Sequence, residues 1–504
     1  MTTMVICPQC GRPAEIAPGE HPFCAHCDYP LFWVAPRPQP DAPVMAEPEP
    51  VSGPVCIVCD AQNEEGRALC RRCGQPLARV MVRRRRTWET VSPPVAGPRR
   101  GRRILAVLLV LLVLAALVAA VAWLFWPRSA WEVVVLDQGE SSWDVSATLR
   151  RGAPVISYVD AGDFTVRVVS CGHPRCDGAI SPNLHTVVAS VGERGQGHGT
   201  AITMGADGHP VIAFRDGARR ALNVAHCGDP QCSDGGAITI TEVDPGPDTD
   251  DPRIDVGSDP SIALGADGLP IVAYHDSTRG ALKIAHCDNR ECTSASIAIL
   301  DRGAGQGGAG GVGFDTSIQI GRDGLPIVAF RDADAQALRF ARCSDERCTQ
   351  AVIVTMVATP GADPGHEASL ALAADGTPIV AYADWSDDGI YVATCSGITC
   401  EEVTTRRVDR AEDGTSADAT IALDAAGLPV VAYRQKEPGD ERASRILKIV
   451  RCHDIRCERS STPEVVDSVG RTGYTPRILV LADGMLAIAH GDATQGALEF
   501  SFLD

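Results

Sequence analysis

The hydrophobic positions of this chain recur in short runs that are split by turns. In the clearest unit, the alternating run Ser261–Leu264 leads into a turn at Gly268, and the apolar run Pro270–Tyr274 leads out of it. A third run ends at Cys287, and a fourth, Ser296–Leu300, follows the next cysteine. Short runs of this kind, separated by turns every eight to twelve residues, predict β-strands in an all-β fold.

The turn glycine of this unit recurs at nearly constant spacing, which defines a repeat. It stands at Gly152, Gly208, Gly268, Gly324, Gly376, Gly427 and Gly484. Glycine supplies the positive φ of such a turn at no steric cost. A period of about 50–60 residues indicates a repeat architecture, and seven units of four strands each predict a seven-bladed β-propeller.

The two ends of the repeat region provide an independent argument for a closed ring. The last unit has only three apolar runs, namely Arg477–Leu481, Leu486–His490 and Ala497–Phe502. The run Trp131–Asp137 is similar to a fourth strand such as Ile297–Asp301. We therefore expect the chain to begin the propeller with the strand that its last blade lacks. That pairing hides two sheet edges that would otherwise template aggregation, and an open solenoid would not need it.

The repeat motifs are similar to those of a known group of proteins. Asp267-Gly-Leu-Pro270 and Tyr274-His-Asp276 resemble the Asp-Gly-x-Pro and Tyr-x-Asp repeats of secreted bacterial propeller proteins. The resemblance covers about residues 131–504. It implies the propeller fold, and it does not imply a function, because propellers support many functions.

Twelve of the 20 cysteines lie in the repeats, as six pairs that each flank a four-residue loop between the third and fourth strands. The pairs are Cys171/Cys176, Cys227/Cys232, Cys287/Cys292, Cys343/Cys348, Cys395/Cys400 and Cys452/Cys457. A hairpin would place the two cysteines of a pair opposite each other, where their Cα separation suits a disulfide. Free buried thiols and a metal site are the alternatives. Disulfides require an oxidising compartment.

The other eight cysteines form two sets of paired CxxC motifs before residue 74. They are Cys7, Cys10, Cys24, Cys27, Cys56, Cys59, Cys70 and Cys73. The spacing fits tetrahedral zinc–sulfur coordination in two small structural sites. The second set resembles the double zinc ribbon family through Cys70-Arg-Arg-Cys-Gly-Gln-Pro-Leu77. We predict zinc ribbons at residues 1–33 and 56–77; a redox role is the alternative, although no βαβ pattern surrounds these cysteines.

Residues 104–126 form an uncharged apolar segment of 23 residues, which is long enough to span a bilayer as a helix. Arginine runs precede it, so the positive-inside rule predicts a cytoplasmic N-terminus and an extracytoplasmic propeller at 131–504. A cleaved signal peptide fits less well, because the segment is long and deep in the chain. We predict a flexible linker at residues 34–55 and a basic linker at residues 78–103. The arginine runs of the basic linker are expected to set the membrane topology; binding of nucleic acid or anionic lipid is the alternative.

Charge divides the chain in the same way as the cysteines do. Residues 1–103 hold 14 of the 46 basic and 10 of the 64 acidic residues, so the remainder carries a net charge of −22. A propeller this acidic disfavours nucleic acid and anionic surfaces as partners, whereas cations and basic partners suit it.

Two recurring sets of acidic residues lie toward the face that carries the connections between blades. One set ends the second strand of six units and is expected to accept hydrogen bonds from turn amides; it comprises Asp160, Asp216, Asp276, Asp332, Asp384 and Asp492. The other set lies two residues before the first strand, near the central channel, and comprises Asp259, Asp315, Glu367 and Asp418. We take this second set as the candidate ligand site, with Ca²⁺ as a possible occupant; solvated loop carboxylates are the alternative.

Catalytic motifs do not occur in the sequence: it has no nucleophile elbow, HExxH motif or phosphate loop. The sequence therefore favours a binding protein over an enzyme. The expected function is recognition of a protein or glycan ligand in the cell envelope by the propeller of a single-pass membrane protein. A propeller-based glycan hydrolase or lyase, and a purely structural envelope anchor, are the alternatives.

Overall fold

The computed structural model describes residues 3–6, 13–16, 131–139, 142–176, 183–188, 199–233, 237–246, 255–303, 311–411, 416–436 and 445–503. Near the N-terminus, β1 (Thr3–Ile6) and β2 (Pro13–Ile16) pair as an antiparallel hairpin. The eight CxxC cysteines, both linkers and the apolar segment 104–126 lie outside the described residues. Among the residues described, no helix has the length and apolar character that a bilayer crossing requires.

From residue 131 onward, the described residues form seven four-stranded antiparallel sheets, which are the blades of a propeller. Blade 1 consists of β4 (Ser142–Arg150), β5 (Ala153–Asp160), β6 (Thr165–Ser170) and β7 (Asn183–Val188). Blade 2 consists of β8 (Thr200–Met204), β9 (Pro210–Asp216), β10 (Ala221–His226) and β11 (Thr239–Asp244). Blade 3 consists of β12 (Val256–Leu264), β13 (Pro270–Asp276), β14 (Ala281–Cys287) and β15 (Ala295–Asp301). Blade 4 consists of β16 (Val312–Ile320), β17 (Pro326–Asp332), β18 (Ala337–Cys343) and β19 (Ala351–Val357).

The remaining three blades follow the same order, except that the last one takes its outer strand from the beginning of the propeller. Blade 5 consists of β20 (Pro364–Leu372), β21 (Pro378–Asp384), β22 (Gly389–Cys395) and β23 (Val403–Arg410). Blade 6 consists of β24 (Ser416–Leu423), β25 (Pro429–Lys436), β26 (Arg445–Arg451) and β27 (Glu464–Asp467). Blade 7 consists of β28 (Thr472–Val480), β29 (Leu486–Asp492), β30 (Ala497–Leu503) and β3 (Trp131–Gln138).

The predicted ring closure is therefore confirmed. β3 pairs antiparallel with β30, from Trp131 opposite Leu503 to Gln138 opposite Ala497. Trp131 is buried, and its indole Nε1 donates a hydrogen bond to Glu464 of blade 6 at 2.8 Å. The closing strand thus also ties blade 7 to its neighbour.

The core lies between the blades, and this explains the sequence pattern. The second and third strands of each blade are covered on both sides by neighbouring blades, so β13 and β14 are buried along their whole length. The second strands of six blades carry a fully buried aromatic residue at one shared position: Tyr158, Phe214, Tyr274, Phe330, Tyr382 and Tyr433. The outer strands are only half covered, and β15 has no fully buried residue.

The six predicted cysteine pairs of the propeller are disulfide-bonded. They are Cys171–Cys176, Cys227–Cys232, Cys287–Cys292, Cys343–Cys348, Cys395–Cys400 and Cys452–Cys457. The Cα atoms of each pair lie 4.7 to 5.3 Å apart, within the range that a disulfide spans. All twelve cysteines are buried.

The position of the second cysteine of each pair corrects the sequence prediction, which set the two cysteines opposite each other on paired strands. The residue opposite Cys287 is Ala295, the first residue of β15, and the second cysteine lies in the loop before it. The second cysteines share a left-handed backbone, with φ between 51° and 59°, and each donates its N–H to the carbonyl three residues earlier. They are Cys176, Cys232, Cys292, Cys348, Cys400 and Cys457. Each bridge therefore closes a tight turn within the loop, because a positive φ folds the second cysteine back toward the end of the third strand.

Candidate functional site

Five carboxylates converge on the axis of the propeller, where the first strands of neighbouring blades contact one another. Each stands at an irregularity of its first strand with a positive φ between 48° and 55°. They are Asp144, Asp259, Asp315, Glu367 and Asp418, and we name them the carboxylate ring. The sequence placed four of these residues before the first strand. The structure places these residues inside the first strand. Pairing with the second strand continues on both sides of a register shift, such as the one between Ser258 and Ser261 of β12, so the strand begins earlier than the sequence indicated.

The sequence analysis missed Asp144, which occupies the equivalent position in blade 1. It could have been found from the spacing, since Asp144 precedes Ser146 by two residues as Asp259 precedes Ser261. The two other blades lack a carboxylate here. Thr475 fills the position in blade 7, and Gly199 fills it in blade 2, where an added Cβ would lie 2.1 Å from Cδ of Pro260.

The ring carboxylates also join adjacent blades. A carboxylate oxygen of Asp144 accepts a hydrogen bond from the backbone N–H of Gly199 at 3.0 Å. The N–H of Asp315 donates in the same way to the carboxylate of Asp259, and the N–H of Glu367 donates to that of Asp315. One such bond satisfies only part of a carboxylate's acceptor capacity. The ring therefore has a structural role and still offers oxygens to a ligand.

Burial and mutual repulsion oppose ionisation of the ring. Burial raises the pKa of Asp144 to about 6. Burial and the charge of Asp144 raise the pKa of Asp259 to about 6, and burial and the charge of Asp259 do the same for Asp315. Burial and three ring neighbours raise the pKa of Glu367 well above its ordinary value. Like charges held close together in a partly desolvated site repel one another, so the ring favours a bound cation or proton.

Two arginines offset part of this negative charge. Arg477, on the first strand of blade 7, is electrostatically coupled to Glu367, Asp418 and Asp144. Arg434 donates from Nε to Asp418, and its guanidinium lies 4.1 Å from the centroid of the Tyr474 ring. Arg215 and Arg331 also act on Asp259 and Asp315, but each forms an ion pair with a carboxylate outside the ring, Asp255 and Asp363. The ring therefore carries a net negative charge when it is ionised.

Next to Glu367, a cluster of charged and aromatic side chains joins blades 4 and 5. Arg331 donates to Asp363 at 2.8 Å, and Nε2 of His366 lies 3.0 Å from the same carboxylate. Although burial opposes ionisation, His366 and Arg331 hold the pKa of Asp363 at about 2. The imidazole of His366 stacks on the indole of Trp385 with 3.7 Å between ring centroids. We name these four residues the rim cluster.

The aspartates that end the second strands have the structural role expected from the sequence. Each accepts a hydrogen bond from a backbone N–H of the following turn; for example, Asp160 accepts from Gly162 at 2.8 Å and Asp332 accepts from Ala335 at 2.8 Å. The same holds for Asp216, Asp276, Asp384 and Asp492. The ring and not this set is therefore the candidate site.

The comparisons with known proteins are informative about the fold. No protein-family model and no curated protein sequence matches this chain. Among solved structures, a polysaccharide lyase of family PL25, an ulvan lyase bound to -[GlcA(1-4)Rha3S]-, matches with a TM-score of 0.51 and 11% identity over 73% of this chain and 95% of its own. A second structure of a PL25 ulvan lyase matches with a TM-score of 0.50, 11% identity and the same coverage. At this identity, the likeness shows a shared propeller fold.

Proposed function

We propose that this protein is a single-pass membrane protein whose extracytoplasmic propeller binds a ligand through a cation held in the carboxylate ring. The observation that supports the proposal is the convergence of five carboxylates on one axis, four of them with raised pKa values. Oxygen-only donors at a site of net negative charge suit Ca²⁺ or a basic group of a ligand. In this proposal the two N-terminal zinc ribbons lie in the cytoplasm, at the other end of the membrane segment 104–126.

Calcium should stabilise the protein if the ring binds it, because a ligand that binds only the folded state raises the melting temperature by mass action. At 100 times the dissociation constant, the stabilisation amounts to about 2.7 kcal/mol. We expect the melting temperature of the full-length protein in detergent to rise with Ca²⁺ and to fall back with chelator. The double substitution Asp315→Asn and Glu367→Gln should abolish this rise, as measured by differential scanning calorimetry.

A matched control removes two carboxylates from elsewhere on the propeller. Glu346 and Glu401 lie beside the disulfide loops, away from the axis, so Glu346→Gln with Glu401→Gln should leave the calcium response intact. If calcium and basic ligands leave the melting of the unsubstituted protein unchanged, the ring is a purely structural feature and the ligand site lies elsewhere.

The ring also predicts a dependence on pH. The pKa values of Asp144, Asp259 and Asp315 are raised from 3.8 to about 6, so the folded state holds these protons more tightly than the unfolded state. In chelator, the free energy of unfolding should therefore decrease as pH rises from about 4 to about 6. Calcium affinity should increase over the same window, because protons compete with the cation. Calorimetric titrations at several pH values measure both trends, and the ring-neutralised double variant should flatten them.

A glycan-degrading enzyme is the second candidate, because the structures that share the fold include ulvan lyases. The charge of the ring favours neutral or basic ligands over a polyuronate chain, since an acidic polymer would meet like charge at the axis. Incubation with neutral and uronate-containing polysaccharides, followed by analysis for new reducing ends and unsaturated products, tests this candidate. Products that disappear in the ring-neutralised variant would replace the binding proposal with an enzymatic one.

A further inference from the structure

A second buried motif recurs at the blade interfaces, level with the carboxylate ring along the strands but farther out across the sheet, on the second, third and fourth strands. At the interface of blades 2 and 3, Nζ of Lys283 lies 2.6 Å from Asp244 and 3.0 Å from Asp276. The hydroxyl of Tyr274 donates to Asp244 at 2.7 Å. A lysine on the third strand thus bridges an aspartate of the preceding blade and the aspartate that ends the second strand of its own blade.

The same arrangement occurs at other interfaces, in most cases with arginine as the cation. Arg339 lies 2.6 Å from Asp301 and 3.1 Å from Asp332. At the interface of blades 7 and 1, Arg167 lies 3.0 Å from Asp137 and 2.7 Å from Asp160. At the interface of blades 5 and 6, Lys448 lies 3.4 Å from Asp409.

The cation is present where the aspartate of the preceding blade is present. Two interfaces have valine at the register position of that aspartate, namely Val188 opposite Val166 and Val357 opposite Leu338. In the blades that follow, the third strand carries Asn223 and Tyr391 in place of lysine or arginine. The positive side chain therefore accompanies the aspartate of the preceding blade. The second aspartate can be replaced, since Lys448 donates to Gln435 at that position in blade 6.

The interface of blades 6 and 7 breaks this rule. Asp467 and Asp492 occupy the two aspartate positions, but the third strand carries Glu499 where the cation belongs. His490 replaces the aromatic residue of the second strand. All four side chains are buried, with exposures between 0% and 6%. Three carboxylates and an imidazole thus meet in a closed space where four other interfaces hold an ammonium or a guanidinium group.

The cluster has hydrogen-bond donors, but none of those among the described residues is cationic. Asp467 accepts from the N–H of Val469 at 3.0 Å, and Nε2 of Gln495 lies 2.9 Å from Asp492 and 3.3 Å from Glu499. The hydroxyl of Thr472 lies 2.7 Å from Asp467, 3.1 Å from Nδ1 of His490 and 3.3 Å from Glu499, and it has one proton to donate. Nε2 of His490 lies 2.8 Å from the hydroxyl of Ser501. When Nε2 carries the proton and donates to Ser501, Nδ1 is left with a lone pair directed toward the carboxylates.

We propose that Asp467, His490 and Glu499 bind a divalent zinc ion, which takes the place of the repeat's lysine or arginine and joins blades 6 and 7. One ligand atom from each of these residues can be chosen so that all three lie within 4.8 Å of one another. A contraction to Zn–N and Zn–O bonds of about 2.0 to 2.2 Å forms the site, and a water molecule or the neighbouring Asp492 supplies the fourth tetrahedral ligand. Ser501 fixes the ring of His490, in the way that outer partners commonly orient metal-binding histidines.

The donor set favours zinc over calcium. An imidazole nitrogen suits Zn²⁺, whereas Ca²⁺ takes oxygen ligands. Glu499 Oε2 lies 3.6 Å from Nδ1 of His490, and three carboxylates share this closed space, so the cluster needs a cation or a proton between its members. The zinc site and the calcium response of the carboxylate ring therefore differ in both metal and residues.

The test replaces the glutamate with the residue that the repeat uses elsewhere. Full-length protein and Glu499→Lys are purified in detergent, equilibrated with equal Zn²⁺, freed of excess metal and analysed for zinc per chain by inductively coupled plasma mass spectrometry. We expect the variant to hold one zinc ion fewer, because the introduced ammonium can bridge Asp467 and Asp492 as Lys283 bridges its own pair. Asp483→Asn, at an exposed turn of the same blade, should hold as much zinc as the unsubstituted protein.

Two further variants distinguish loss of the zinc site from loss of the fold. His490→Tyr with Glu499→Lys rebuilds the tyrosine–lysine pair of blade 3, and Glu499→Gln removes one charge with little change of volume. Each should also hold one zinc ion fewer while the propeller still melts cooperatively. Equal zinc contents in the unsubstituted protein and in the folded variants would overturn the proposal and assign the cluster to a proton. Zinc bound to other residues, including cytoplasmic ribbons, cancels in these differences.

Discussion

We expect a chain that lacks β3 to form no stable propeller. Deletion of Trp131–Gln138 leaves β30 with an unpaired edge along its whole length and removes Trp131 and Leu136, which are buried to 4% and 7% exposure. Truncation of a buried Trp and a buried Leu costs about 3–5 and 2–5 kcal/mol, before any lost backbone pairing is counted. The total reaches the roughly 5–15 kcal/mol by which domains are stable. We expect the cooperative thermal transition to vanish and the protein to aggregate, as measured by circular dichroism and size-exclusion chromatography.

The control for this deletion moves the strand instead of removing it. Residues 131–138 attached behind Leu503 through a short turn can pair with β30 in the same register, so this chain should recover the cooperative transition. Substitution of Val133 and Val135, which are 40% and 39% exposed on β3, by threonine should leave melting nearly unchanged. Unaltered melting of the deletion variant would mean that the ring is stable without its closing strand.

Loss of the six disulfides should also destabilise the propeller strongly. In the chain-entropy treatment, a bridge across a loop this short contributes about 2 kcal/mol. Six such contributions together are comparable with the entire stability of a typical domain. Reduction in mild denaturant should therefore lower the denaturation midpoint far more than it does for a protein without disulfides, and recovery should require reoxidation. Equilibrium denaturation with and without reductant, followed by tryptophan fluorescence, measures the difference.

Removal of a single bridge measures what one disulfide contributes to stability. Cys287→Ala with Cys292→Ala removes the bridge of blade 3, and the free energy of unfolding should fall by about 2 kcal/mol. If the fully reduced protein unfolds at the same denaturant concentration as the oxidised one, the bridges contribute nothing to stability, and the argument for an oxidising compartment is lost as well.

The fold could be predicted from the sequence because each blade repeats the same local chemistry. A turn glycine and an apolar second strand recur in all seven units, an aspartate precedes the glycine in five of them, and a cysteine-flanked loop follows in six. The missing fourth strand of the last unit pointed to Trp131–Asp137.

Positions with a positive φ at residues other than glycine were not predictable in the same way. At Asp259 and its equivalents, such a φ interrupts the regular pairing of the first strand with the second. The side chains around it therefore do not alternate between the two faces of the sheet. At Cys292 and its equivalents, it turns the cysteine into the loop, so the pairing of the cysteines was predicted correctly and their facing strand positions were not. The spacing of residues in the sequence predicts neither the register shift of the first strand nor the position of the second cysteine in the loop.

The candidate sites were predictable only in part. Four members of the carboxylate ring share a position relative to the turn glycine, so their convergence follows from ring symmetry. Arg477 was not predicted, because it occupies a position that holds serine or threonine in most other blades and nothing local marks it as facing the axis. The Asp467, His490 and Glu499 cluster requires the pairing of three strands from two blades. Glu499 becomes unusual only when it is aligned with Lys283 and Arg339.

Closure by β3 also makes the order of synthesis important. β3 leaves the ribosome before the other propeller strands, and its partner β30 ends 365 residues later, the difference between positions 138 and 503. At about 5–20 residues per second, the two are separated by roughly 20 to 70 s. Blades 1 to 6 can complete their own sheets in that time, whereas blade 7 waits for the last strand. A chain that stops before Ala497 leaves β3 without a partner, so truncated products expose a hydrophobic strand that proteases can recognise, and only full-length chains conceal it.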